Sequence, residues 1–407
     1  MVVLTLLVAL YAAVALAYWL WCLYAAVRVR RSLPALEAFD PPPGPLPRVS
    51  VIVAARDEAE TIEPAARTLL AQDDPDLEIV LVDDRSTDGT GAEIDRLADQ
   101  DERVGAIHVT SLPEGWLGKV HALHCGVAAA SGDFLLFTDA DVHFAPAALR
   151  RAVAWCEARG LDYLAALPSL RPVSVWVDAV VSAFLRSFIA TMRPWAVADP
   201  DSGAFIGVGA FNLVRRSAFE KTPGLEWLRM ETADDVGLGL MMKASGARCG
   251  VATAFDLVSL TWYGSLGAAA RGAEKAYASA GNCRMTRVLI GATATLAVGV
   301  APVAGIALAA LLPTNPAAWA LAAVVPVSVA AGALFIRWGR GRVLPALLGP
   351  LVAPVSAGAF IRAGILGWWR GGVRWRGTLY PSEALRAGRR VSLPPPRHLP
   401  DLQGPQH

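Results

Sequence analysis

Acidic residues recur in this chain where an apolar run gives way to a loop. Asp139 and Asp141 follow the run FLLF at 134–137, which reads as a buried strand because four large apolar residues in succession leave no polar face. Two carboxylates so close at a strand end repel each other unless something positive lies beside them. Hard oxygen ligands of this kind suit Mg2+ or Mn2+, which is usually held by a few protein carboxylates together with the phosphates of a substrate. The alternative for Asp-Ala-Asp is a polar turn. Asp57 stands after the β-branched run VSVIVA at 49–54, and Asp83 and Asp84 end the run LEIVLV at 77–82. Carboxylates at such ends accept hydrogen bonds from ribose hydroxyls and base N–H groups. For Asp88 and Thr90, helix capping is sufficient. Lys119 closes the loop LPEGWLGKVH at 112–121, where Gly115 and Gly118 bracket Trp116. A flexed loop ending in lysine just before a helix can bring positive charge and helix N–H groups to a diphosphate, or can simply be solvated. Asp234 and Asp235 stand in ETADD at 231–235, ahead of a predicted helix. Capping of that helix accounts for only one of the two carboxylates.

The elements that position these residues alternate. Strands are predicted at 49–54, 77–82, 104–109 and 134–137, with helices at 61–72, 91–100, 121–130 and 236–245. The opening βαβαβ pattern calls for a right-handed, mostly parallel, nucleotide-binding half-sheet. Such sheets bind ligands beyond the carboxyl ends of their strands, where the acidic residues fall. SGAFIGVGAF at 202–211 sets three glycines among apolar residues, which suits either close approach of backbone to an acceptor or a buried strand.

The 407 residues are 54% hydrophobic and 18% charged, a balance shifted toward membrane proteins, and a net charge of +1 gives no sign of a nucleic-acid partner. Five scattered cysteines without a CxxC pair suggest neither a zinc site nor a disulfide framework. Residues 1–27 are predicted to be a transmembrane anchor. The stretch is long enough for a bilayer of about 30 Å and ends in the aromatic belt Tyr18, Trp19, Trp21 and Tyr24. A cleaved signal peptide is the competing reading, although the start is not basic. Arg28, Arg30 and Arg31 then hold the next part of the chain in the cytoplasm, and residues 28–47, rich in proline, form a linker. Residues 288–336 read as a transmembrane hairpin turning at Pro313-Thr314-Asn315-Pro316. Pro345, Pro350 and Pro354, with arginines at both ends, make 343–380 a re-entrant or interfacial segment. Residues 381–407 form a polar tail. The low-charge stretch 173–195 suits either a helix lying on the bilayer or a buried core helix.

Taken together, VIVAARDE at 51–58, VDDRSTDGT at 82–90, Gly118-Lys119 and Asp139-Ala140-Asp141 resemble glycosyltransferase family 2, the inverting enzymes of GT-A fold, over residues 49–287. The resemblance implies an α/β, Rossmann-like, mostly parallel GT-A domain at 48–287, flanked by N-terminal and C-terminal transmembrane helices. It further implies that Asp57 and Asp84 hold the uracil and ribose of a UDP-sugar, that Asp139 faces the ribose or sugar, and that Asp141 ligates Mg2+ or Mn2+. By the same match Asp235 is the catalytic base, with Asp234 beside it. Processive synthases of the family carry Gln or Arg, two residues and then Arg-Trp, whereas this chain has RGAEKA at 271–276. Arg271 and Lys275, four apart on one helix face, remain candidates for phosphate, but the missing tryptophan argues against a polymer synthase. The expected protein is thus a multi-pass enzyme of the cell membrane, in the lipid-directed subgroup, with its catalytic domain facing the cytoplasm. It would transfer one sugar from a nucleotide-sugar to a lipid acceptor. The rivals are a polyprenyl-phosphate sugar transferase and a transporter or scaffold that merely binds nucleotide.

Overall fold

Apolar, β-branched runs become the inner strands of a sheet, as their lack of a polar face demands. In the computed structural model, which describes residues 2–73, 76–396, 399–400 and 402, the strands are β1 (Val49–Ala55), β2 (Leu77–Asp84), β3 (Val104–Val109), β4 (Phe134–Asp139), β5 (His143–Phe144), β6 (Tyr163–Leu170), β7 (Asn212–Arg215) and β8 (Cys249–Leu260). They form one eight-stranded sheet in the order β3-β2-β1-β4-β7-β6-β8-β5. Strands β3, β2, β1 and β4 run parallel. β7 is antiparallel to both β4 and β6, and β5 is antiparallel to β8. From β1 the chain builds outward through β2 and β3, then returns to the other side of β1 as β4. The strand order therefore reverses between β1 and β4, and in open α/β sheets ligands bind beyond the carboxyl ends of strands at such a reversal.

Two strands outrun their apolar stretches. β2 continues through Asp83 and Asp84, and β4 through Thr138 and Asp139, because their backbones still find partners. Ala55 pairs with Asp83, and Ala54 pairs with Asp139. This register brings acidic residues from both neighbours to the rim beside the end of β1. The helices that cover the sheet, Ile62–Leu70, Thr90–Gln100, Gly118–Ala129, Ala148–Arg159 and Asp234–Ala244, include the four predicted, with ends moved by up to three residues. Phe134, Leu135, Leu136, Ile79, Leu81 and Phe211 are fully buried. Residues 202–210 form no strand; only from Asn212 does this stretch join the sheet.

The chain divides into two compact units. The sheet belongs to the unit made of Leu33–Arg171, Pro194–Trp262 and Ala384–His407; Met1–Ser32, Pro172–Arg193 and Tyr263–Glu383 make up the other, helical unit. Among the described residues, five helical stretches are long and apolar enough to cross a membrane: Val2–Ser32, Val175–Ala196, Met285–Leu311, Pro316–Gly339 and Gly349–Arg370. Within the helical unit, the polar tips of aromatic side chains find backbone partners on neighbouring helices. Tyr11 donates to the carbonyl of Ala297 at 2.7 Å and Trp19 to that of Val298 at 3.0 Å. The helix Val175–Met192 packs among these helices rather than under the sheet. Trp21 donates to Ala190 O at 2.9 Å, and Asp178 pairs with Arg342 at 3.0 Å. Where the sequence predicts a re-entrant or interfacial segment, Gly349–Arg370 is one continuous helix; Pro350 lies in its first turn, where proline costs no hydrogen bond, and Pro354 lies inside it.

Replacing Leu136 by Ala empties the centre of β4. It should cost the sheet unit about 2–5 kcal/mol, read as a lowered midpoint of urea unfolding.

Candidate functional site

The reversal between β1 and β4 gathers the charged residues. Lys119 is the second residue of the helix Gly118–Ala129, so its ammonium starts beside the end of β4. Its Nζ lies 2.6 Å from Asp139 Oδ1 and 3.2 Å from Asp234 Oδ2, joining a strand end to the start of the helix Asp234–Ala244. Burial by itself would depress the ammonium. The charges of Asp139, Asp234 and Asp235 outweigh it and hold Lys119 well above the ordinary lysine range, so the side chain stays charged.

Asp234 does not cap its helix. Ala233 occupies that position and offers no side-chain bond, while Asp234 and Asp235 both lie in the first turn, where the helix dipole favours negative charge. Asp235 accepts from Gly209 N at 3.0 Å and from Val236 N at 2.9 Å. Gly209 is required there: a Cβ would sit 2.6 Å from Asp139 Oδ2 and 3.6 Å from Asp235 Oδ2. At Gly209 the glycine-rich stretch therefore passes close to both carboxylates, an approach of backbone that a side chain would hinder. Its shape is fixed from below by Asn212 Oδ1, which accepts from Val208 N at 3.0 Å and from the Tyr163 hydroxyl at 2.7 Å. Lys119, Asp234, Asp235 and Gly209 line one hollow together with Thr138 and Asn212.

Asp57 and Asp84 meet on the other side of β1. Arg56 reaches Asp57 at 4.0 Å and Asp84 at 3.7 Å, and Arg85 clasps Asp84 with two hydrogen bonds of 2.7 and 3.0 Å. Asp84 also abuts Gly118, where any side chain would strike its carboxylate, so the strand end and the lysine-bearing helix are in direct contact. The loops after β1 and β2 are stitched together: Asp57 Oδ1 accepts from Thr87 N at 2.8 Å, Thr90 Oγ1 from Glu58 N at 2.8 Å, and Asp88 Oδ2 from Ala59 N at 3.0 Å. Asp88 and Thr90 therefore join two loops, a task wider than capping.

Burial, followed by the like charges of Asp139 and Glu58, pushes Asp141 up to about 6. A carboxylate so disfavoured is the kind a divalent cation relieves, and the donors present are hard oxygens. Among the described residues no group of three or more His, Cys, Asp and Glu side chains is arranged to hold an ion. Asp139 and Glu58 lie near enough to Asp141 for their charges to be felt there.

Asp57, Asp84, Lys119, Asp139, Asp141, Asp234 and Asp235 all lie in the sheet unit. Arg271 and Lys275 belong to the helical unit, where Arg271 is exposed and Lys275 Nζ sits 3.6 Å from the centre of the Trp375 ring. Arg56, Arg85, Glu58 and Gly209 escaped prediction. The first three carried a signal, since each sits beside a predicted aspartate; nothing local marked Gly209 above its neighbouring glycines.

Residues 50–222 match the family described as Glycosyl transferase family 2. The chain is 34% identical over 115 residues to succinoglycan biosynthesis protein ExoO of Rhizobium meliloti, a stretch covering 28% of this chain and 31% of that protein. It is 32% identical over 96 residues to the GalNAc(5)-diNAcBac-PP-undecaprenol beta-1,3-glucosyltransferase of Campylobacter jejuni, covering 24% of this chain and 30% of that one. The matched stretch thus spans about a third of the length of these curated relatives. The mannosyltransferase PcManGT of Pyrobaculum calidifontis, solved in complex with GDP-Man and Mn2+, superposes with a TM-score of 0.53 at 20% identity, covering 90% of this chain and 98% of that one. That likeness extends to the fold, a mostly parallel GT-A sheet accompanied by long apolar helices at both ends of the chain.

Gly209→Ala drives a methyl into Asp139 and away from the geometry that serves Asp235. The variant should fold, with a far-UV circular dichroism spectrum like that of the parent, and lose at least tenfold in turnover with any active nucleotide-sugar.

Proposed function

We propose, on the premise that residues 50–222 are a glycosyl transferase family 2 catalytic domain, that this protein moves a single sugar from a nucleotide-sugar to a membrane lipid with inversion at the anomeric carbon. The observation that carries this reading is the contact of Lys119 with both Asp139 and Asp234 in the hollow that also holds Asp235. Acids and a lysine from three separate parts of the chain converge at the strand reversal, where such folds bind nucleotides.

In this reading Asp57 and Asp84 hold the nucleoside, with UDP as the expected donor, and the diphosphate extends toward Lys119 and Asp141. An acceptor hydroxyl attacks the anomeric carbon from the face opposite the diphosphate. Asp235 takes the proton from that hydroxyl as the new bond forms. Lys119, already charged and fixed by Asp139 and Asp234, offsets the negative charge that gathers on the leaving diphosphate. A bound Mg2+ or Mn2+ at Asp141 and Asp139 supplies further positive charge against that leaving group. One displacement suffices, so the product has the opposite anomeric configuration and no covalent enzyme intermediate is formed.

The lipid acceptor is supported by the five membrane-length helices in the same chain. The arginines at 28, 30 and 31, in the last turns of the first helix, support a cytoplasm-facing catalytic domain by the positive-inside rule. Arg271 and Lys275 are retained as candidates for lipid or donor phosphate. A polyprenyl-linked acceptor is the second reading, favoured by the Campylobacter relative, whose name specifies a PP-undecaprenol substrate.

Purified protein in nanodiscs, offered radiolabelled nucleotide-sugars and extracted lipid, should transfer label to the lipid fraction. Asp235→Asn should reduce kcat by about 100- to 10,000-fold, the usual range for a lost general base, with little change in donor KM. Turnover by Asp235→Asn at the parental rate would remove the base assignment. EDTA should abolish transfer and added Mn2+ or Mg2+ restore it. Unaltered activity in EDTA would remove the metal from the scheme.

A further inference from the structure

Glu231 stands four residues before Asp235, and its side chain is almost wholly buried, with 1% of the residue exposed. A carboxylate taken out of water must be satisfied by donors. Glu231 has three, all backbone. Its Oε1 accepts from Ala233 N at 2.9 Å, and its Oε2 accepts from Arg390 N at 2.7 Å and Val391 N at 2.8 Å. Two of these donors come from a segment about 160 residues farther along the chain. The same segment is fastened at its edges. Arg390 Nε donates to Trp227 O at 3.0 Å, and its guanidinium lies 5.4 Å from the centre of the Trp227 ring. Gly388 lies directly against Met230, and Leu385 and Val391 are buried at 3% and 4% exposure. Val391 also reaches Gly237, one turn into the helix that carries the aspartates.

We infer that residues 385–391 are a clasp, closed through Glu231, that positions the loop delivering Asp234 and Asp235, so that Glu231 is a positioning residue for the base. The inference rests on the proposed role of Asp235. The carboxylate holds the loop on one side through Ala233, whose peptide leads into the helix, and holds the distant segment on the other. Without the segment, Oε2 loses the Arg390 and Val391 donors, and a buried charge that loses its donors favours rearrangement of the loop toward water. Of the carboxylates proposed to serve the donor, Asp84 ends β2 and Asp57 and Asp141 follow β1 and β4, and none of them is among the clasp contacts given above.

The test uses the full chain in nanodiscs beside two variants: a chain ending at Gly388, and Glu231→Gln, whose amide presents N–H groups where acceptors are needed. The first readout is hydrogen–deuterium exchange of the peptide spanning 228–238; it does not depend on turnover. Exchange there should rise at least tenfold in both variants while that of β1 and β2 is unchanged. The second is steady-state kinetics. kcat should fall at least tenfold, with donor KM and the stoichiometry of UDP binding unchanged. Addition of a peptide spanning 389–396, the part of the segment that the shortened chain lacks, should restore part of kcat to the shortened chain but none to Glu231→Gln. Parental exchange at 228–238 in the shortened chain, or a loss of activity matched by lost UDP-binding sites, would overturn the clasp. If the intact protein transfers no sugar, the proposed function falls, and the exchange measurement decides the clasp by itself.

Discussion

A single ammonium group among three carboxylates organises this molecule. Lys119 touches Asp139 and Asp234 and feels Asp235. Without it, a strand end and a helix start that both carry negative charge would be pushed apart. The sheet reversal between β1 and β4 sets the distance, the register of Ala54 with Asp139 sets the level, and the first turn of Gly118–Ala129 sets the lysine. Each of these is an ordinary consequence of apolar strands packing under helices. Their coincidence at one rim is what makes the arrangement chemical.

The same economy governs the smaller contacts. Gly209 and Gly118 sit where any Cβ would strike an aspartate, so two segments of backbone approach carboxylates that would otherwise stand clear of them. Arg56 and Arg85 both reach Asp84, so this carboxylate is held in one orientation. Preorganisation of this kind lowers the cost of ordering side chains when substrate arrives.

The helical unit obeys different physics. Its helices are held by Tyr and Trp tips on backbone carbonyls, by small residues at close crossings such as Gly299 against Ala353, and by the pairing of Glu274 with Arg362 and Arg370. Contacts of this kind are those that hold helices together where the hydrophobic drive is weak. The helix Val175–Met192, placed in sequence between two strands of the sheet, belongs to this unit. Its low charge suited either a helix lying on the bilayer or a buried core helix, and the structure instead packs it among the other apolar helices of this unit.

The first four strands, their order of appearance and the candidate aspartates were all legible in the sequence, because period, β-branching and an abrupt change from apolar to acidic are local properties. So were the long apolar helices Val2–Ser32, Met285–Leu311 and Pro316–Gly339, whose length against bilayer thickness needs no partner to be read, whereas the continuous helix Gly349–Arg370 was expected as a re-entrant or interfacial segment. The ends of β2 and β4 were not, since they depend on the pairing of Asp83 with Ala55 and Asp139 with Ala54. The role of Asp234 was also hidden: capping and pairing with Lys119 look alike until the lysine is 3.2 Å away. Glu231 and residues 390–391 are about 160 positions apart, and a carboxylate that binds backbone N–H groups leaves no trace in the identity of the residues that donate them. Residue type determined which groups here are able to do chemistry. Which of them stand together was decided only by the tertiary fold, because contacts between distant segments arise from packing and charge balance that no local pattern encodes.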